Sequence, residues 1–347
     1  MAYNLAFMTI QVRSFAKINL GLRIGAARED GFHELLTVYQ TIALHDLIRV
    51  SVSRGSGIEI HCIDTRVPKD ESNTCYRVVV KAMRALKAKG RVVVEIEKRL
   101  PLQGGMGGAS ANGIATLLAL ERALKKALPV EERLRIAAEV GSDLPLFLIG
   151  GTVLGVGRGE QVYPLEDLPS MACVVVTPAI GVSTPNAFGE WDRRTRGAGT
   201  SALLALSAKA GKRKPRELTL LGPSDRMNEL GRGVSAWLGE SYSGAPFGRG
   251  LAENPLLALV RAGIKNDFEQ VVFPEYPELS EGKKALERAG AKYASLSGSG
   301  STLYGLFASK EAASLAATKL RGQGWEAQAT VTLTRKQYWA KFLVSSF

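Results

Sequence analysis

The chain has 347 residues, 46% of them hydrophobic and 22% charged, enough apolar material for two domains with their own cores and too little bias for a disordered or fibrous class. A net charge of +12 favours anionic partners: nucleotides, phosphorylated small molecules or nucleic acid. Three cysteines without CxxC spacing, Cys62, Cys75 and Cys173, give no disulfide framework or zinc site, and no apolar run approaches the ~20 residues of a membrane helix.

From Ile10 to Ile24 apolar and polar residues alternate imperfectly, which predicts a bent or interrupted strand. Inside it, Phe15-Ala-Lys-Ile-Asn-Leu-Gly-Leu22 sets Lys17 and Asn19 two apart and so on one face. That spacing also suits the solvent face of any antiparallel strand. Arg28-Glu-Asp-Gly-Phe-His-Glu-Leu35 follows as a turn carrying Phe32 and His33, ahead of a strand from Leu36 to Ala43. Leu47–Val52 and Ile58–Ile63 are expected to form a hairpin, Asn73–Ala88 a helix, and Arg91–Leu100 a further strand.

That strand delivers Pro101-Leu-Gln-Gly-Gly-Met-Gly-Gly-Ala-Ser-Ala-Asn112, before an alanine- and leucine-rich helix from about Ser110 to Ala127. Gly104, Gly105, Gly107 and Gly108 let backbone N–H groups approach an anion without Cβ interference, and the helix start adds free N–H groups and a positive dipole end. A second helix, Pro129–Val140, ends in Gly141-Ser-Asp-Leu-Pro-Leu-Phe-Leu148, where Asp143 reads either as a functional carboxylate or as an N-cap ahead of Pro145. Gly150–Gly159 closes a first α+β unit with mostly antiparallel strands.

A second α+β unit is expected beyond it: a strand at Cys173–Thr177, a turn into helix across Pro178–Phe188, Lys265-Asn-Asp-Phe-Glu269, a helix at Glu278–Ala289, a strand, turn and strand over Tyr293–Phe307, a helix at Ser309–Arg321 and a strand at Glu326–Leu333. Residues 189–253 carry little pattern and read as an insertion. Its cluster Lys209–Arg216 reads as a solvated loop, because no zinc-finger spacing, aromatic RNA-binding strand or basic heptad helix accompanies the charge.

The loop is no Walker P-loop, for GxxxxGK[ST] is missing, and no protein kinase site, for no HRD or DFG set goes with it. It also lies too far into the chain for a dinucleotide-binding βαβ start. Lys17-Ile-Asn-Leu-Gly-Leu22, the loop from Pro101, and Ser297-Gly-Ser-Gly-Ser-Thr302 together resemble the three motifs of the GHMP small-molecule kinases. Within that superfamily, Ala16–Leu22, Asp30-Gly-Phe-His-Glu-Leu35, Gly141–Pro145 and Asn266–Glu269 resemble the 4-diphosphocytidyl-2-C-methyl-D-erythritol kinase family.

The resemblance implies a two-domain α+β fold. An N-terminal domain like the second domain of ribosomal protein S5 would span residues 1–160, and a ferredoxin-like C-terminal domain 161–347. It implies ATP-dependent phosphoryl transfer to the 2-hydroxyl of a cytidine-diphosphate-linked methylerythritol, with Mg²⁺. Lys17 and Asp143 would be catalytic. Asn19, Phe32, His33 and Phe188 would bind the acceptor. Asn73, Lys98, Pro101, Gly104, Gly105, Met106, Gly107, Gly108, Ala109 and Ser110 would bind ATP. Gln103 and Ala111 stand where the family usually has glycine and a second serine.

A cytoplasmic protein is expected, a monomer or weak homodimer without membrane or nucleic-acid partners, for which Met8 is an alternative start to Met1. Another kinase of the superfamily, or a non-catalytic nucleotide- or RNA-binding protein on the same fold, are the competing readings.

Overall fold

The computed structural model describes residues 9–102, 104–195 and 264–344. Met8, Gln103, the basic cluster 209–216 and the insertion beyond residue 195 lie outside the described residues. Among the described residues no helix is long and apolar enough to cross a membrane.

Two long antiparallel strands, β1 (Ile10–Ala27) and β2 (His33–Ser53), form the spine of a six-stranded sheet. Register shifts at Phe15/Lys17, Asn19/Gly21 and Ile24/Ala27 break the β1–β2 ladder, the physical form of the imperfect alternation in the sequence. On its other edge β2 pairs first with β5 (Thr152–Val156) and then with β4 (Arg91–Glu97); β6 (Gln161–Pro164) extends the sheet beyond β5.

The expected hairpin of Leu47–Val52 with Ile58–Ile63 does not form. β4 lies between them, and β3 (Ile58–Cys62) pairs with β4 in parallel. Val92, Val94 and Ile96 of β4 are buried, whereas β3 buries only Ile60. The more apolar strand takes the inner position and the short one the edge, where unpaired backbone reaches water.

Helix α2 (Gly108–Leu124) is buried continuously from Ala111 to Glu121. It touches β1 and β2 on one side and α1 (Thr74–Ala85) on the other. A helix enclosed on all sides is apolar all round, which explains the Ile-Ala-Thr-Leu-Leu-Ala-Leu run. Burying Ile114, Leu117 and Leu120 contributes about 1.5–3 kcal/mol each. Gly113 permits the close α1 contact, since a Cβ there would lie 2.9 Å from Thr74 Cγ2. Helix α3 (Val130–Val140) leads to a 3₁₀ turn at Pro145–Leu148.

The second sheet runs β10–β7–β9–β8, with β7 at Ala172–Val176, β8 at Tyr293–Leu296, β9 at Leu303–Phe307 and β10 at Ala327–Val331. Between β7 and β8 come α4 (residues 184–195), α5 (Glu269–Glu275) and α6 (Pro277–Arg288); α7 (Lys310–Gly322) joins β9 to β10. In chain order the spatial sequence is fourth, first, third, second, the split βαββαβ arrangement of a ferredoxin-like fold.

The two sheets share a core in which Ala16, Ile18 and Leu20 of β1 meet Cys173, Val175, Tyr304 and Leu306. A final helix, α8 (Arg335–Phe342), packs back on β1. It begins with a complete capping box, Thr334 with Gln337, a signature present in the sequence but outranked there by its weak amphipathic pattern.

Candidate active site

The glycine loop sits where the sheets meet. Three of its carbonyl groups are satisfied by neighbours: Gly104 O accepts from Thr302 N at 3.1 Å, Gly105 O from Ser297 Oγ at 2.9 Å, and Met106 O from Lys17 N at 3.0 Å. Gly107, the N-cap of α2, is left-handed at φ 66° and offers no side-chain cap, and the first helical turn carries no acid. The N–H groups of the helix start therefore meet no capping side chain of their own, which suits an anion. The space is also restrictive, because a Cβ on Gly105 would lie 2.1 Å from Ser297 O and one on Gly107 3.0 Å from the Phe147 ring.

Lys17 reaches this loop from the first bulge of β1. Its buried ammonium donates to Asn19 Oδ1 at 2.7 Å and lies 3.2 Å from Asp143 Oδ2. Asn19 in turn donates to Thr37 Oγ1 at 2.8 Å. Asp143 caps nothing, since the 3₁₀ turn has Leu144 as its N-cap without a side-chain bond. Its side chain is 31% exposed against 4% for Lys17, so one face of the carboxylate is open to an incoming molecule.

Tyr39, unmarked in the sequence because it looks like an ordinary core aromatic of β2, donates its hydroxyl to Asp143 Oδ1 at 3.1 Å. Burial, and then the Asp143 charge, hold the Tyr39 phenol well above the ordinary tyrosine range. It stays a neutral donor.

His33 begins β2. Its Nε2 lies 2.8 Å from Asp192 Oδ1, and its ring lies flat on Phe188, centroids 4.9 Å apart and planes 11° apart. Phe188 and Asp192 are four residues apart on α4, hence on one helix face. Phe268 supports Phe188 edge-on at 4.9 Å. Phe32, by contrast, points outward, 48% exposed, with the Arg158 guanidinium 4.9 Å over its ring. The structure thus brings His33 and Phe188 together and leaves Phe32 at the rim. Asp192 escaped sequence reasoning because it falls in the weakly patterned region after Phe188.

Arg66, Asn73, Lys98, Pro101 and residues 104–110, Gly104 through Ser110, line one cavity of about 580 Å³. Asn73 is also the N-cap of α1, its Oδ1 accepting from Cys75 N at 2.8 Å. Lys98 is not free in the cavity, for its ammonium is 2.7 Å from Asp46 Oδ2.

Residues 73–151 match the GHMP kinases N terminal domain, and residues 247–325 match the GHMP kinases C terminal domain. A 4-diphosphocytidyl-2-C-methyl-D-erythritol kinase of Solibacter usitatus is 36% identical over 302 residues, covering 87% of this chain and 82% of that protein. The chain belongs to this kinase family. Another member, from Caldanaerobacter subterraneus, is 33% identical over 304 residues, covering 86% and 88% of the two chains.

A crystal structure of 4-(cytidine 5'-diphospho)-2C-methyl-D-erythritol kinase superimposes with a TM-score of 0.68 at 27% identity, covering 93% of this chain and 99% of the other. Homoserine kinase from Cytophaga hutchinsonii, at 20% identity and a TM-score of 0.63 over 94% and 95% of the chains, shares the fold. As a member of the family this protein is an ATP-dependent small-molecule kinase.

Proposed function

We propose that this kinase transfers the γ-phosphoryl group of ATP to the 2-hydroxyl of 4-diphosphocytidyl-2-C-methyl-D-erythritol, a step in building isoprenoid precursors. The observation that carries the reading is the Lys17–Asp143 pair beside the uncapped start of α2, with the His33–Phe188 stack farther along the same β1–β2 ladder. Residues 1–160 would supply most of the donor half, and 161–347 would add Phe188 to the acceptor half.

The N–H groups of Gly104 to Ser110 would hold the phosphates, and the absence of Cβ atoms at Gly105 and Gly107 lets a phosphate come close. Pro101, Met106 and Ala109 shape the wall of the cavity, and Asn73 and Lys98, which also line it, would lie near the nucleotide base. Mg²⁺ would offset phosphate charge, bound mainly through phosphate oxygens and water. Ser72, Thr74 and Ser110, the last on the first turn of α2, bring hydroxyl oxygens suited to such a hard cation to this lining, and its one thiol, Cys75, is kept protonated by burial, its pKa pushed up to about 12.

Asp143 would accept the proton of the acceptor hydroxyl as its oxygen forms the new bond to phosphorus and the bond from phosphorus to the ADP oxygen breaks. Tyr39 and Lys17 fix its two oxygens, and Lys17 also offsets charge on the transferred group. Asn19 holds Lys17 and, with His33, Phe188 and Phe32 at the rim, would orient the cytidylyl acceptor. The protein would act without nucleic acid, as a monomer or weak homodimer.

Measuring ADP release with a panel of acceptors tests this. Turnover is expected with the cytidylyl methylerythritol and not with mevalonate or homoserine; the reverse pattern would sink the assignment.

A further inference from the structure

A buried carboxylate that does not itself line the cavity holds both ends of the glycine loop. Asp46, on β2, is completely buried. Its Oδ1 accepts from Arg99 N at 2.7 Å and Leu100 N at 2.8 Å, on the segment entering the loop. Its Oδ2 accepts from Lys98 Nζ at 2.7 Å and from Asn112 Nδ2 at 2.9 Å, on the helix leaving it. One side chain thus ties both arms of the loop, with Pro101 to Ala111 suspended between.

Charge reinforces the geometry. A Cβ on Gly108, the first residue of α2, would lie 3.4 Å from Lys98 Nζ, so this ammonium sits against the helix start. Pairing with Asp46 holds it in place on the cavity wall beside that helix start. A buried carboxylate with four donors is well compensated, whereas loss of the carboxylate leaves an ammonium, an amide and two backbone N–H groups without their acceptor.

We propose that Asp46 is the positioning residue of the nucleotide loop: by bridging residues 98–100 to Asn112 it keeps the N–H groups between them converged on the phosphates. This rests on the reading above that the loop holds ATP. It predicts a selective defect, in which nucleotide affinity falls while the acceptor half, built from His33, Phe188 and Asn19, is unmoved. A carboxylate that merely braced the fold would lower the melting temperature and leave the affinities of the folded protein alone.

The experiment is calorimetric titration of the full chain with a non-hydrolysable ATP analogue and, separately, with the cytidylyl acceptor, for wild type, Asp46→Ala, Asp46→Asn and Gly107→Val. Asp46→Ala is expected to weaken the analogue at least about tenfold and to change acceptor Kd less than about twofold. Asp46→Asn keeps one oxygen for the Arg99 and Leu100 amides and should lose about threefold, a graded rescue.

Analogue affinity within about twofold of wild type in folded Asp46→Ala, or an equal loss for both ligands, would overturn the proposal. If Asp46→Ala does not fold, Asp46→Asn decides by the same contrast: a selective loss supports it and unchanged analogue binding overturns it. Wild type that fails to bind the analogue, or Gly107→Val that binds it normally, would overturn the loop assignment and this proposal with it. Normal wild-type binding, its loss in Gly107→Val and no effect in Asp46→Ala would overturn this proposal alone.

Discussion

Strand β1 carries two buried cation–aspartate pairs that differ in how completely they are closed. Arg23 and Asp267 meet at 3.0 Å with side chains 4% and 0% exposed, and Asp267 also accepts from Ile24 N at 3.0 Å and Gln270 Nε2 at 3.2 Å. Lys17 and Asp143 meet at 3.2 Å, but Asp143 is 31% exposed. The first carboxylate is enclosed by the protein and joins β1 to the Asn266–Glu269 segment, where Leu22 also bridges Asn266. The second keeps an open side. A charge closed off from solvent is architecture, and one left accessible is available for chemistry.

The sharpest test of that contrast is Asp143→Ala. It should lower kcat by about 10⁴-fold, about 5 kcal/mol, with ATP binding and the melting transition retained. Near-normal turnover would remove Asp143 from its proposed role. Asp267→Ala should do the opposite, costing about 1–3 kcal/mol of stability in urea unfolding because it removes a buried carboxylate from Arg23 and leaves the Ile24 N–H and Gln270 Nε2 without this acceptor. A loss under about 1 kcal/mol would show that the closed pair is not structural.

His33→Ala should raise the KM for the cytidylyl acceptor about tenfold and leave that for ATP unchanged; an equal rise in both would separate His33 from the acceptor. Tyr39→Phe removes only one hydrogen bond to Asp143 and should cost about 0.5–1.5 kcal/mol in kcat/KM with little change in melting temperature. A change in melting temperature alone would place Tyr39 with the architecture instead.

Legibility in the sequence followed the range of the forces involved. The β1 irregularities, the shared face of Lys17 and Asn19, the uncapped glycine entry to α2 and the Pro145 turn all come from local backbone preferences and were readable from a few neighbouring residues. The pairing of β3 with β4 was not, because a parallel neighbour is chosen by competition for buried positions and not by the turn between adjacent strands. Asp46, Tyr39 and Asp192 were equally hidden. Each looks ordinary in its own segment and acquires a role only from partners 52, 104 and 159 residues away in the chain.

By itself the sequence determined the kind of chemistry: a glycine-bounded helix start, a lysine and an aspartate in the right segments, and a histidine beside an aromatic. Tertiary structure decided which of these meet. It stacked His33 on Phe188 and turned Phe32 outward, and it tied Lys98, on the cavity wall, to the buried Asp46. It also gave Asp143 two donors and one open face. The physical reason is that backbone conformation is set by nearest neighbours, whereas the pairing and exposure of a buried charge depend on every element packed around it.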